Sequence, residues 1–192
     1  VNVGQTTRKY RKLCPKAQIY GFEPYFDVYA KYAHTFANDS RIHPVPLALS
    51  DTDGEAEFFL NKNHYTNSLL QNAPDYTDGG ERYIPAGTLQ VSTQKLDTFC
   101  AAHDIEHIDI LKMDVQGGEL VVLKGAEDMF RRGAIDLVYA EVEFERIYKD
   151  QPLFADIQSF LHERGFSHYK TYNEYTSPGG ALLSGDALFI KK

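Results

Sequence analysis

The sequence is poor in cysteine, in basic clusters and in long apolar stretches. Its two cysteines, Cys14 and Cys100, stand far apart and without metal-ligand spacing. That excludes a disulfide framework or a cysteine metal cluster and favours a reducing, cytoplasmic setting. No apolar run approaches the roughly 20 residues needed to cross a bilayer, so a soluble chain without a membrane partner is expected. Lys and Arg number 20 against 27 Asp and Glu, a formal net charge of −7 with no basic run, which argues against binding nucleic acid or an anionic membrane. An initiator Met and the features of a signal peptide are also lacking; the opening VNVGQTTRKY reads as a start partway through a longer protein.

What is present suffices for one well-buried core: 192 residues, 43% of them hydrophobic, with neither an internal repeat nor a linker. We therefore expect a single domain over residues 1–192. Periodicity alternates strands and helices, the pattern of an α/β fold with a mostly parallel sheet. Strands are predicted at 18–24, 42–50, 107–115, 135–144, 166–172 and 186–192. Helices are predicted at 25–38, 93–103, 118–133 and 153–165, the last closed by Gly165. Residues 55–60 alternate like a hairpin or edge strand, and the spacing places them beside the 42–50 strand. Residues 61–87 are rich in Asn, Tyr, Pro, Asp and Gly and too long for an ordinary connection, which marks a substrate-side segment.

In a parallel sheet, ligands bind outside the carboxyl ends of strands, so the informative residues lie at strand-to-helix turns. One turn is Asn2, Val3, Gly4 and Gln5. Glu23 follows Gly4 by 19 residues and ends the next strand, the spacing at which an acid accepts hydrogen bonds from a ribose in nucleoside-binding folds. The same pair also fits a helix-capping loop with a surface Glu. The turn LALSD offers Leu49 and Ser50 as the floor of an adenine pocket, although on its residues alone an ordinary strand and turn is the better reading.

The stretch LKMDVQGGELVVLKGA, residues 111–126, places charge inside a strand. Asp114 falls where the strand yields to Gly117 and Gly118 and points to the ligand crevice. Lys112 lies on the same side and deeper, where an unpaired ammonium is costly. Glu141, in the next strand, is its natural partner, and a purely structural ion pair is the competing explanation.

These stretches resemble the FkbM-type methyltransferases, which use S-adenosyl-L-methionine. The resemblance rests on NVGQT, IYGFEP, LALSDTDGEAEF, NSL at residues 67–69, KLDTF, IDILKMDVQGGELVVLKGA, YAEV at residues 139–142, and the closing GF and DALFI, in family order over nearly the whole chain. It implies a class I methyltransferase (Rossmann-like) fold, a sheet flanked by helices with its last strand antiparallel and its first strand missing from this chain. It further implies that Asn2, Gly4, Gln5, Glu23, Leu49, Ser50 and Asp114 bind the cofactor, that Tyr65, Ser68 and Glu119 bind the acceptor, and that Glu119 and Glu141 support the site.

Methylation of a hydroxyl needs an oxygen held in line with the methyl group and a carboxylate to take its proton. Asp114 is the first choice of base and Glu141 the second. Tyr65, Tyr76 and Tyr83 either stack on the acceptor or anchor the segment that carries them. The acceptor implied is a hydroxyl of a sugar, glycoconjugate or natural product. An NAD-dependent oxidoreductase also fits Gly4 and Glu23, but no Tyr is followed four residues later by Lys, so the commonest short-chain dehydrogenase pair is lacking. A non-catalytic nucleoside-binding module derived from a methyltransferase is the other alternative. His103 and His107 straddle a helix-to-strand connection and read as solvent-facing, with no metal expected.

Overall fold

The computed structural model describes residues 2–74, 76, 80–177 and 179–192; part of the segment 61–87 (Asp75, Thr77, Asp78 and Gly79) lies outside the described residues. In chain order the elements are α1 (Gln5–Leu13), β1 (Ile19–Phe22), α2 (Phe26–Thr35), β2 (Ile42–Val45), β3 (Ala48–Leu49), β4 (Gly54–Asn61), two 3-10 turns (His64–Thr66 and Gly80–Tyr83) and β5 (Pro85–Gln94). There follow α3 (Leu96–Ala102), β6 (Ile108–Met113), α4 (Glu119–Lys124), α5 (Glu127–Arg131), β7 (Ile135–Glu143), α6 (Phe154–Glu163), β8 (Phe166–Thr176) and β9 (Leu182–Lys191).

Local chemistry sets several of these boundaries. In α2 the buried residues Val28 and Tyr32, and in α6 Ile157 and Leu161, lie four apart, so each pair faces one side of its helix. The Asp156 carboxylate closes the start of α6 by accepting from Leu153 N at 2.8 Å, and Gly165 ends it at φ 85. The helix expected at 118–133 breaks into α4 and α5 at Gly125, where a Cβ would stand only 2.0 Å from the Ser50 carbonyl oxygen. Asp97 from α3 then caps α5, its carboxylate accepting from Asp128 N and Met129 N.

The expected mostly parallel sheet is replaced by mixed pairing. Among the described residues the strands form three sheets, in the orders β1-β2, β3-β5-β4 and β6-β7-β9-β8. The pairs β1–β2, β3–β5 and β6–β7 are parallel, whereas β4–β5, β7–β9 and β8–β9 are antiparallel. The cause is two long hairpins, β4–β5 and β8–β9, each of which forces an antiparallel partner. The last strand is antiparallel to β7, as the resemblance implies. The 42–50 strand divides into β2 and β3 around Pro46, which has no N–H to donate. Nor does it lie beside residues 55–60, because β5 stands between β3 and β4.

The main core lies between the third sheet and α4, α5 and α6, with Leu123, Met129, Val138, Leu161 and Phe189 fully buried. A smaller cluster of Ala48, Phe58 and Val91 holds β3, β4 and β5 together. Strict alternation along β7 sends Val138, Ala140 and Val142 into the core and leaves Tyr139, Glu141 and Glu143 on the opposite face. Lys112 shares that face because it sits opposite Tyr139.

The Lys112 pairing differs from expectation. Its Nζ donates to Asp186 Oδ1 at 2.8 Å and to the Met113 carbonyl at 3.0 Å, and lies 4.7 Å from the Tyr139 ring centroid. Asp186 is the cross-strand neighbour of Glu141, so the lysine reaches past Tyr139 to β9. Burial alone would raise the Asp186 carboxyl, but hydrogen bonds from Asn173 and Lys112 and the ammonium charge hold it below its usual range. Lys112→Met should destabilise the fold by about 2 to 3 kcal/mol, since it strands a partly buried carboxylate. Thermal melts should show part of that loss recovered in Lys112→Met/Asp186→Asn and none in Lys112→Met/Glu141→Gln. Recovery through Glu141 would restore the original pairing.

Candidate active site

The turn from β6 to α4 is built by Gln116 and Gly117, both at positive φ (55 and 92). A Cβ on Gly117 would meet the Tyr148 and Gln151 side chains at 3.1 Å, so the second requirement for glycine is close packing. Glu119, at the first position of α4 and only 4% exposed, folds its carboxylate back so that Oε1 accepts from Val115 N at 3.0 Å. Gln151, itself buried, fixes the opposite wall by accepting from Ile147 N and Tyr148 N.

On this frame stand Asp114, which is exposed, and Glu141, which is half-buried. Gln116 Nε2 donates to Asp114 Oδ1 at 2.9 Å and to Glu141 Oε2 at 2.7 Å. Glu141 and Asp114 are also hydrogen-bonded to each other. Burial, then the charge of Asp114 and that hydrogen bond, push the Glu141 carboxyl far above the usual range. Burial pushes Glu119 up to about 7 and Glu143 up to about 8. Glu143 Oε2 is buried without a hydrogen-bond partner among the described residues. Sequence reasoning missed Gln116, Glu143 and Tyr148. Glu143 was within reach, since it follows Glu141 by two residues in a strand and so shares its face.

The other turn brings Gly4 and Glu23 together. Glu23 is buried, its carboxylate accepting from Asn2 N at 2.9 Å and Tyr25 N at 3.2 Å. Gly4 adopts φ 91 at the start of α1, and a Cβ there would collide with the Phe36 ring at 2.5 Å. Leu49 packs against the main core. Ser50 N donates to the Gln94 carbonyl, and the Ser50 carbonyl lies against Gly125, so its contacts run to β5 and to the end of α4.

Residues 62–74 and 80–84 tie the two turns together. At one end Asn2 Nδ2 lies 3.1 Å from His64 Nδ1, and Gln5 Nε2 donates to the Tyr65 hydroxyl at 2.9 Å. At the other, Ser68 Oγ donates to the Gln116 carbonyl at 2.6 Å. The Tyr148 hydroxyl lies 3.0 Å from both the Thr66 carbonyl and Gln116 Oε1 and has one proton to share between them. Five residues of chain, from His64 to Ser68, thus reach from the Gly4–Glu23 turn to the Asp114 turn. Tyr83 packs edge-on against Tyr148 and Tyr76 against Tyr83, an anchoring arrangement, while Tyr65 is about half exposed and stacked on His64.

The two histidines have separate partners: the His103 ring lies 4.2 Å from that of Phe99, and His107 Nε2 pairs with Asp136 at 2.9 Å. Cys14 and Cys100 are free thiols. Among the described residues no helix is long and apolar enough to cross a membrane.

A glycine turn with a buried acid, joined to a strand end rich in carboxyls, is the arrangement of a protein that binds a small polar ligand at strand-to-helix turns. The chain belongs to the methyltransferase FkbM domain family, whose pattern it matches over residues 2–167. It is 27% identical over 161 residues to the 2-O-methyltransferase NoeI of Sinorhizobium fredii, an alignment covering 80% of this chain and 65% of that protein. Two solved structures of LepI, one in complex with SAH and a substrate analogue and one with SAM, align with TM-scores of 0.42 at 12% and 11% identity, each covering 100% of this chain and 41% of theirs. That likeness is too loose to carry fold or function across.

The raised carboxyls have a sign that can be worked out. In the unfolded chain a glutamate titrates at about 4.3. Between that value and the raised folded values of Glu119, Glu143 and Glu141, the folded state binds more protons than the unfolded one. Their contribution is therefore full below about pH 4 and is lost as pH rises through about 7 to 9, so stability falls across that window. Asp186 acts in reverse, losing its contribution on acidification. Denaturant melts should place maximal stability near pH ~4, between the loss of Asp186 on acidification and that of the three glutamates above it, and Glu143→Gln should flatten the alkaline decline. A stability that rises from pH 5 to 9 would contradict the burial of these groups.

Proposed function

We propose that this protein is an S-adenosyl-L-methionine-dependent O-methyltransferase acting on a hydroxyl of a sugar, glycoconjugate or natural product. The observation that carries the reading is the pairing of an exposed carboxylate, Asp114, with a withdrawn carboxyl, Glu141, at a strand end tied to the Gly4–Glu23 turn. Family membership and a relative named as a 2-O-methyltransferase support it.

The donor set fits the cofactor. Glu23, held by two backbone N–H groups, offers acceptor lone pairs to a ribose diol, and Asn2, Gly4 and Gln5 line the same turn. Leu49 and Ser50 are assigned to the adenine side. S-adenosyl-L-methionine carries a cationic sulfonium with a transferable methyl group. The exposed Asp114 carboxylate at this end suits a cation and disfavours the pyrophosphate of a dinucleotide. That ranks nicotinamide chemistry behind.

The residues of the chain have the remaining work of holding the acceptor and taking its proton. Asp114 is exposed and can accept a hydroxyl proton within hydrogen-bond reach. Glu141, protonated, donates to Asp114 and keeps it oriented. Tyr65 and Ser68 lie on the acceptor side, and Glu119 fixes the turn through Val115.

Isothermal calorimetry with S-adenosyl-L-methionine, S-adenosylhomocysteine and NAD should show binding of the first two only; tighter binding of NAD sinks the reading. With methyl-labelled cofactor and a panel of saccharide hydroxyls, Asp114→Asn should lower turnover by roughly 100-fold or more while its thermal melt stays near that of the parent. Full turnover in Asp114→Asn would pass the role of base to Glu141.

A further inference from the structure

We infer that Gln116 is the positioning residue of this site: its single amide nitrogen bridges Asp114 and Glu141, and its other polar groups bind that pair to Tyr148 and to Ser68 of the acceptor-side segment. This deepens the reading of Asp114 as base and rests on it.

Gln116 is held at its amide nitrogen, its amide oxygen and its backbone carbonyl. Nε2 donates to both carboxyl groups, Oε1 lies 3.0 Å from the Tyr148 hydroxyl, and the backbone carbonyl accepts from Ser68 Oγ. The residue also sits at φ 55, a conformation unfavourable for a non-glycine residue that persists where surrounding bonds enforce it. An amide NH2 carries two hydrogens, one for each carboxyl group. It is also neutral, so it can join two acids without discharging either of them.

The neighbours explain why a bridge is needed. Glu119 faces the pair from α4 and Glu143 from β7, and Tyr83 and Tyr148 approach from the segment side. The Lys112 ammonium, on the same sheet face, is bonded to Asp186 on β9 instead. Two carboxyl groups placed together among further acids repel unless one retains its proton. Gln116 keeps them together, Glu141 retains the proton, and Asp114 is left with its exposed side toward the acceptor. Through Ser68 the geometry of the base is also made to depend on the seating of the segment. Ser68 is itself 1% exposed and accepts from Leu70 N at 2.9 Å, so the link is a fixed one.

The test is a double-mutant cycle read by carbon-13 NMR of the Glu141 side-chain carboxyl during a pH titration of the protein alone. In the parent, Asp114→Asn should lower the Glu141 midpoint by about one pH unit, because a neighbouring negative charge is removed. In a Gln116→Met background the same substitution should move it by less than about 0.3 pH unit, because Asp114 is no longer held against Glu141. Gln116→Asn retains an amide but is one methylene too short to bridge; it should behave like Gln116→Met and serves in its place should the methionine variant not fold. Coupling of parental size in either background overturns the assignment. Neither cofactor nor acceptor enters the titration, so its outcome is independent of the calorimetry that decides the methyltransferase reading.

Discussion

Withdrawing carboxyl groups from water at the ends of β6 and β7 is the constraint on which the rest of this molecule depends. Glu119, Glu141 and Glu143 are drawn together by the alternation of β7 and the first turn of α4. An ionised carboxylate there has few donors and several acidic neighbours, so the group holds its proton instead. Everything nearby follows from satisfying these oxygens. Glu119 takes Val115 N and closes the turn, Gln116 adopts a left-handed backbone to reach two carboxyl groups, and Tyr148 and Gln151 form the wall behind. Asp114, the most exposed of the group, is left facing outward.

The two hairpins give this arrangement its supports. The β4–β5 hairpin carries the segment between Asn61 and Pro85 and fastens its described residues with a ladder of amides. Asn61 Nδ2 donates to the Thr66 carbonyl, and Asn72 Nδ2 to Asn61 Oδ1 and the Tyr83 carbonyl. A segment so fixed positions His64, Tyr65 and Ser68 as struts between the two turns. The β8–β9 hairpin supplies Asp186, which engages Lys112 and so keeps an ammonium away from the carboxyl pair. A cation beside Glu141 would let it ionise, and the pair would lose its shared proton.

Much of this was legible in the sequence because it is written in local periods. The i, i+4 spacing of Val28 with Tyr32 and of Ile157 with Leu161 marks α2 and α6, and the acid and two glycines after ILKM mark the turn before α4. Asp114 and Glu141 were each singled out from their strands, but Glu141 was given to Lys112, whose partner is Asp186. Asp186 lies 74 residues away on a strand whose place beside β7 no local pattern reveals. β5 was hidden for a different reason. Its first residues, PAGT, are exposed and weakly patterned, and only the alternation of Leu89, Val91 and Thr93 betrays a strand. Gln116 was passed over because a polar residue between an acid and two glycines reads as turn filler, and its role depends on bonds to residues 25 and 32 positions further along the chain.

The proposed function requires the Gly4–Glu23 turn and the Asp114–Glu141 turn to be two walls of one cofactor site. An amide NMR map recorded during titration with S-adenosylhomocysteine tests it most directly. The largest shifts are expected at Gly4 and Gln5, at Glu23, and from Asp114 to Gly118 together, saturating at one ligand concentration. Shifts confined to one of these two turns would contradict a shared site.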